Sequence, residues 1–106
     1  MRYVLDEAGE PRPEPDLLTW ARWMEEANRV VASDRVGPLH VSTVFLGLDH
    51  GFGFHGSPPT LWETMIFGAP AGSDLCDYQE RYRSRAAALE GHQAALALAR
   101  AAIPGN

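Results

Sequence analysis

Apolar residues between Leu17 and Val31 recur every three or four positions, with Leu17, Trp20, Met24, Ala27 and Val31 forming the stripe. This spacing is typical of an amphipathic helix. Asp16 stands where an N-cap is expected, and Gly37 with Pro38 breaks the pattern downstream. The preceding segment DEAGEPRPEP is polar and rich in proline. We therefore predict an extended arm over residues 1–15 and a helix over 16–33.

The middle of the chain has a different pattern, in which β-branched and aromatic residues dominate LHVSTVFLGL and TLWETMIF. Such segments favour strands. Apolar residues lie on both sides of the first segment, which predicts a central strand covered on both faces. The connecting loop DHGFGFHGSPP is long for a hairpin. With DYQERYR as a third strand, we predict an antiparallel sheet over 39–83.

Ser84 is the expected N-cap of a second helix over 84–103, which Pro104 and Gly105 end. Gly91 in its middle costs about 1 kcal/mol relative to Ala, unless another element approaches closely there. The order of elements predicts a single α+β domain over residues 1–106, arranged as a two-layer sandwich with a small antiparallel sheet. Exposed sheet edges predict a homo-oligomer.

Composition and charge narrow the classes of function. The chain has 106 residues, is 45% hydrophobic and 22% charged, and carries a net charge of −5. An acidic chain is a poor binder of duplex nucleic acid. All nine cationic residues are arginine, so an anion site must use Arg or backbone amides. The single cysteine, Cys76, and the lack of a signal peptide or a long apolar run predict a cytoplasmic protein that does not span the membrane.

Blocks along nearly the whole chain resemble a family of small uncharacterised proteins of bacteriophages and prophages. The blocks are VSTVFLGLDHGFG, PPTLWETMIFG, QERY and ALEGH, together with the N-terminal segment from YVLDEAGE to NRVVA. The resemblance implies an accessory phage protein acting in the cytoplasm of the host cell. It also implies stoichiometric binding, of which blocking host defence is one form. Here the turn after Ser84 holds alanines where such sequences commonly place a Glu, so the capping box lacks its second member.

Imidazole and carboxylate groups around the long loop raise the hypothesis of a metal-dependent enzyme. The spacing matches no strong metal motif, and structural roles in the turn are the favoured reading. A hydrolase could use Ser42 or Thr43 with His50 and Asp49, or Cys76 with His92, but no pattern brings either set together. His92 falls on the helix seam and is expected in the core. The possible metal ligands are His40, Asp49, His50, His55 and Glu63.

A binding role for the loop and for the arginines at the end of the third strand and the start of the second helix is the favoured alternative. Glycines in GFGFHG allow backbone N–H groups to approach a phosphate, and the two phenylalanines could stack on a ligand or anchor the loop. Glu63 lies on an apolar strand face and needs a partner such as Arg81 or Arg83. The predicted binding residues are Asp49, His50, Phe52, Phe54, His55, Glu63, Arg81, Arg83 and Arg85.

From these observations we expect a non-enzymatic protein without a cofactor. Its partner would be a host protein or a small nucleotide-like ligand. The alternatives are a small metal-dependent enzyme built on the cluster around residues 49–63 and a phage assembly component.

Overall fold

The computed structural model describes residues 1–49 and 59–103. Within them the chain forms strands and helices in the following order: β1 (Tyr3–Leu5), β2 (Pro11–Pro13), α1 (Leu17–Glu26), β3 (Val30–Val36), β4 (Leu39–Phe45), β5 (Trp62–Phe67), β6 (Gln79–Tyr82) and α2 (Arg85–Ala102).

The main sheet is an antiparallel meander in the order β3-β4-β5-β6, and α2 packs across one of its faces. The predicted α+β fold, with a helix on each side of the sheet in sequence, is confirmed. The predicted pairing of the two central segments is confirmed as well, with His40 opposite Phe67 and Phe45 opposite Trp62. The expected third strand is present as β6.

The helix predicted over 16–33 is wrong in its second half. Helix α1 ends at Glu26, Ala27 is already extended, and residues 30–36 form the edge strand β3. Val30 and Val31 continue the helical stripe, but β-branched residues fit a pleated strand at least as well. A two-residue turn at Gly37, with φ +57°, folds β3 back onto β4. The hydrogen bonds of that hairpin outweigh the local helical periodicity.

The segment expected as an extended arm forms the two-stranded hairpin β1–β2. In its turn the Asp6 carboxylate accepts from the N–H groups of Glu10 and Ala8 and from Arg12 Nε. These bonds, the one from Glu10 foremost, hold the pKa of Asp6 below its usual value. The hairpin is therefore locked by its own turn and is not a free arm.

Helix α1 and the hairpin close the end of the sheet where β4 finishes. The Tyr3 N–H and the Trp20 indole N–H both donate to the carbonyl of Gly47, at 2.8 and 3.0 Å. Trp23 meets Phe45 edge to face with ring centroids 5.8 Å apart. Asp16 caps α1 by accepting from Leu18 N–H, which fulfils the predicted N-cap. Backbone and indole donors thus converge on one carbonyl and fix the N-terminal unit.

The sheet has one covered and one open face. Strand β4 buries every second residue against α2, while the residues between them stay partly exposed. The expectation that β4 is covered on both faces is therefore wrong: among residues 1–49 and 59–103, no helix packs on the second face. We call this second surface the open face; by register it comprises Val30, Ser33, Arg35, His40, Ser42, Val44, Glu63, Met65, Phe67, Gln79 and Arg81.

Gly91 allows β6 to approach α2 closely. A methyl group at this position would overlap the ring and hydroxyl of Tyr82. The sequence left open whether another element needs this space, and the Tyr82 ring is that element. Glycine lowers the helix propensity at position 91, but its lack of a side chain leaves the room that the Tyr82 ring needs beneath the helix.

We predict that Gly91→Ala destabilises the fold, although Ala favours a helix by about 1 kcal/mol. Steric overlap with Tyr82 should cost about 1–3 kcal/mol net, measured by urea unfolding. In a Tyr82→Ala background the same substitution should be neutral or stabilising. Equal effects in both backgrounds would show that the close contact with Tyr82 does not determine the cost.

Candidate functional site

The predicted site on the long loop is only partly within the described residues. His50, Phe52, Phe54 and His55 lie outside them. Asp49 is described, and its Oδ1 accepts from the N–H of Thr60 at 3.0 Å, so the carboxylate ties together the two ends of the connection between β4 and β5. This is the backbone-capping role that was the favoured alternative to metal binding.

Glu63 and Arg81 are brought together on the open face. They oppose each other in the β5–β6 pair, and Arg81 Nε donates to Glu63 Oε2 at 2.9 Å. The Gln79 side-chain amide donates to the same oxygen. Glu63 is 8% exposed, so these donors meet the requirement that a buried carboxylate be paired. The partner predicted for Glu63 is confirmed as Arg81, not Arg83.

Arg83 and Arg85 lie elsewhere, at the start of α2. Strand β6 ends at Tyr82, so Arg83 does not share its face with Arg81. Both side chains are exposed and line a groove with Ser84 and Trp62. The predicted arginine cluster thus separates into Arg81 on the open face and a pair at the helix N-terminus.

The metal hypothesis receives no support from the residues that can be placed. Within 1–49 and 59–103, no three His, Cys, Asp or Glu side chains are grouped as a metal site would require. His40 Nε2 is hydrogen-bonded to Ser33 Oγ at 2.6 Å, and Glu63 is engaged by Arg81. Two of the possible ligands, His50 and His55, lie outside the described residues.

The two nucleophile hypotheses fare differently. Ser42 is on the open face, whereas Thr43 is fully buried on the covered face. The pairing of Cys76 with His92 is wrong. Cys76 contacts Asp77 in the loop before β6, while both ring nitrogens of His92 bond other residues.

A chain of hydrogen bonds beneath α2 is the constellation that the sequence did not reveal. His92 Nε2 lies 2.8 Å from Asp34 Oδ2, and His92 Nδ1 lies 2.7 Å from Thr43 Oγ1. Thr43 Oγ1 in turn lies 2.5 Å from Thr64 Oγ1. Because a carboxylate accepts, Nε2 donates to Asp34. With Nδ1 unprotonated, the Thr43 hydroxyl donates to it and accepts from Thr64.

The order of acid, imidazole and hydroxyl resembles a catalytic triad, but its burial argues for a structural role. Thr43 and Thr64 are 0% exposed and His92 is 1% exposed, so no substrate reaches the hydroxyl. Only the Asp34 end meets solvent. The chain gives a hydrogen-bond partner to each of His92, Thr43 and Thr64, which is what stability requires of buried polar side chains.

Asp34 was missed because the residues directly after the helix predicted over 16–33 were expected to end that helix and not to form a strand. On β3, Asp34 shares the covered face with Val41. Alternation in ASDRV, with Ala32, Asp34 and Val36 on one side, was the signal that could have found it. The expectation that His92 is a satisfied core histidine is confirmed.

Tyr82 lies next to this buried chain and has an altered acidity. Burial raises the pKa of its hydroxyl, Thr64 partly offsets that effect, and the charge of Glu80 adds to it. Tyr78 has a raised pKa as well, again mainly because of burial. Both hydroxyls therefore favour the neutral form in the folded protein.

We predict that Thr43→Val destabilises the protein by about 1–3 kcal/mol, because it leaves His92 Nδ1 and the Thr64 hydroxyl without a partner. Ser42→Ala, one residue away on the open face, is the matched control and should change the free energy of unfolding by less than about 0.5 kcal/mol. Urea unfolding measures both. A Thr43→Val protein as stable as the control would show that the chain contributes nothing.

We also predict a loss of stability at alkaline pH. Because the folded-state pKa values of Tyr78 and Tyr82 exceed the ordinary 10.0, the unfolded state releases their protons first as pH rises. Titration of these two hydroxyls should leave the free energy of unfolding unchanged below pH 10 and should lower it above pH 10. The double variant Tyr78→Phe, Tyr82→Phe should show a smaller decline. Denaturation at a series of pH values tests this, and identical pH dependence in both proteins would contradict it.

Neither helix among the described residues has the length and hydrophobicity needed to cross a bilayer. Comparison of the chain with protein-family models, with curated proteins and with solved structures found no match.

Proposed function

We propose that the protein is a non-enzymatic binding protein that docks a partner protein on the open face of its sheet. The observation that carries the proposal is the one-sided cover of the sheet. Helix α2 spans all four strands on one side, and on the other side Val30 is 50% exposed and Phe67 is 48% exposed. These two side chains lie at opposite ends of the face, and Val44 and Met65 lie diagonally between them. Apolar residues therefore cross the face as a strip, which favours an interaction surface.

The composition of the open face supports protein recognition. Phe67, Met65 and Arg35 belong to the residue types that are enriched at the centres of protein interfaces. His40 tilts against Phe67 with ring centroids 6.1 Å apart, which orders the aromatic end of the surface. The Glu63–Arg81 pair lies at the opposite side, towards the edge strand β6. The surface thus joins an apolar strip to a fixed polar border.

The dimensions of the open face also fit a protein contact. Four strands about 4.8 Å apart, each about six residues long, span a surface roughly 20 Å on a side. This corresponds to the smaller class of protein–protein interfaces, which serve transient complexes. A reversible, stoichiometric partner fits such a surface better than an obligate subunit.

Charge favours a different protein over a second copy of this chain as the occupant. The open face carries Arg35, without an ion-pair partner among the described residues, in addition to the neutralised pair of Arg81 with Glu63. In a dimer whose two-fold axis passes close to Arg35, the two Arg35 side chains would repel each other. A neutral or mildly acidic partner surface is complementary. Self-association through the edge strands β3 or β6 stays a separate prediction.

The arrangement of the described residues supports a non-enzymatic role. The acid–imidazole–hydroxyl chain is buried, and the described residues form no metal cluster. In the setting that the resemblance implies, the partner is a host-cell protein, and blocking it is how a small phage accessory protein would act.

We predict that replacing the exposed apolar residues of the open face abolishes partner capture while the fold is kept. The double variant Val30→Ser, Phe67→Ser should reduce affinity for the partner at least 10-fold, because exposed apolar anchors of this kind dominate binding energy. The matched control is Leu17→Ser, Leu18→Ser, which removes two leucines of α1 that are 53% and 73% exposed. Affinity capture from bacterial extract followed by titration with the purified partner measures the effect.

The proposal is supported if wild type and the control variant capture the same protein in stoichiometric amount and the open-face variant does not. A partner retained equally by all three proteins would overturn the proposal. So would sedimentation showing a dimer that only the open-face variant disrupts, because the open face would then be occupied by a second copy.

A further inference from the structure

A second surface, separate from the open face, lies where α2 begins. It is a groove of about 260 Å³ between the first turn of α2 and the turn that joins β1 to β2. Trp62 forms part of its wall, and Arg83, Ser84 and Arg85 line it from the helix side. Glu10 lines it from the hairpin. The groove therefore combines two cations, one carboxylate and an indole.

The indole N–H of Trp62 has no acceptor among the described residues, although the side chain is only 2% exposed. Burying a donor without a partner is unfavourable, and such groups are rare in folded proteins. By contrast, the indole N–H of Trp20 donates to the backbone carbonyl of Gly47 at 3.0 Å. Trp62 thus holds an unused donor next to the arginine pair.

The helix N-terminus offers further donors in the same groove. Ser84 Oγ accepts from Ala87 N–H, and Ser84 O accepts from Ala88 N–H. The N–H groups of Arg85 and Ala86 precede these and have no intrahelical partner. No acidic residue stands in the first turn to balance the positive end of the helix. An arginine there is unfavourable on its own and favourable once an anion is bound.

We propose that this groove binds the phosphate group of a small anionic ligand. The phosphate oxygens accept from the Trp62 indole N–H and from the free N–H groups of the first turn of α2, while Arg83 and Arg85 neutralise its charge. Three kinds of donor then gain an acceptor at once: an indole, two backbone amides and two guanidinium groups. This inference is independent of the proposed protein partner, since it uses none of the residues of the open face.

The size and charge of the groove limit what it can hold. It is smaller than the roughly 300–1,000 Å³ of sites that enclose whole metabolites. A phosphate group fits inside, with the rest of the ligand outside. Glu10 opposes the anion from the hairpin side, so the local charge balance is two cations against one carboxylate. A ligand with a single phosphate suits this balance.

The test is a titration of ¹⁵N-labelled protein with inorganic phosphate and, separately, with AMP, at constant ionic strength. The Trp62 indole N–H signal should move downfield with saturation as it gains an acceptor, whereas the Trp20 indole signal should stay in place. Saturation by phosphate, with AMP no tighter, would identify a free anion as the ligand. Tighter binding of AMP would identify a phosphate carried by a nucleotide. Both results support the site.

Variants that change the local charge make the test specific. Arg83→Gln and Arg85→Gln should each weaken phosphate binding at least 5-fold, and Glu10→Gln should tighten it by a similar factor. Arg22→Gln on α1 is the matched control and should bind like wild type. The open-face variant Val30→Ser, Phe67→Ser should also bind phosphate normally, which separates this inference from the proposed function.

Three results would overturn the proposal. The Trp62 indole signal could stay unchanged with both probes. Phosphate could bind equally to wild type and to both arginine variants. Arg22→Gln could weaken binding as much as they do, which would indicate diffuse attraction and no defined site.

Discussion

Close packing of one helix against four strands is the constraint on which this structure depends. Helix α2 presents Ala88, Gly91, Ala95 and Ala99 to the sheet, so its axis can lie near the strands. Small residues on the helix are matched by larger ones on the strands, among them Val41 and Ile66. Helix α2 alone covers one face of the sheet. Among the other described elements, α1 and the β1–β2 hairpin close the end of the sheet, and no helix packs on its second face. The buried apolar area that stabilises the domain is concentrated at this single contact.

The same contact explains why a polar chain lies inside a small hydrophobic domain. His92 is a polar residue in this seam, and the strands give a partner to both of its ring nitrogens: Asp34 accepts from Nε2 and Thr43 donates to Nδ1, while Thr64 bonds Thr43 from the next strand. Hydrogen bonds have directional requirements that apolar contacts lack. The chain therefore fixes the register of α2 over the sheet, which apolar packing alone would specify less well. The register of α2 on the sheet therefore also determines where the groove at the start of α2 and the open face lie.

The sequence was informative where local pattern and tertiary structure agree. Alternation in β4 and β5 predicts their pairing, and Ser84 with the alanine-rich segment predicts α2. Glu63, as a carboxylate on an apolar face, points to an arginine on the next strand. The sequence was misleading at Val30 and Val31, where a helical stripe continues into residues that pair with β4. Helical periodicity is a property of one segment, whereas strand pairing depends on a second segment that the pattern of the first does not identify. The indole of Trp62 and the opening of one sheet face follow from packing and could not be read from spacing.

The position of α2 in the chain has a consequence for how the protein is made. Its hydrogen bonds reach Thr43 and Asp34, which lie 49 and 58 residues before His92. The β3–β4 hairpin can form as soon as its two-residue turn is synthesised, but residues 85–102 leave the ribosome after all four strands. Until then both faces of the nascent sheet are exposed to water, and Phe45, Trp62 and Ile66 can contact other chains. Truncation within α2 should therefore leave these side chains uncovered and drive the product into inclusion bodies.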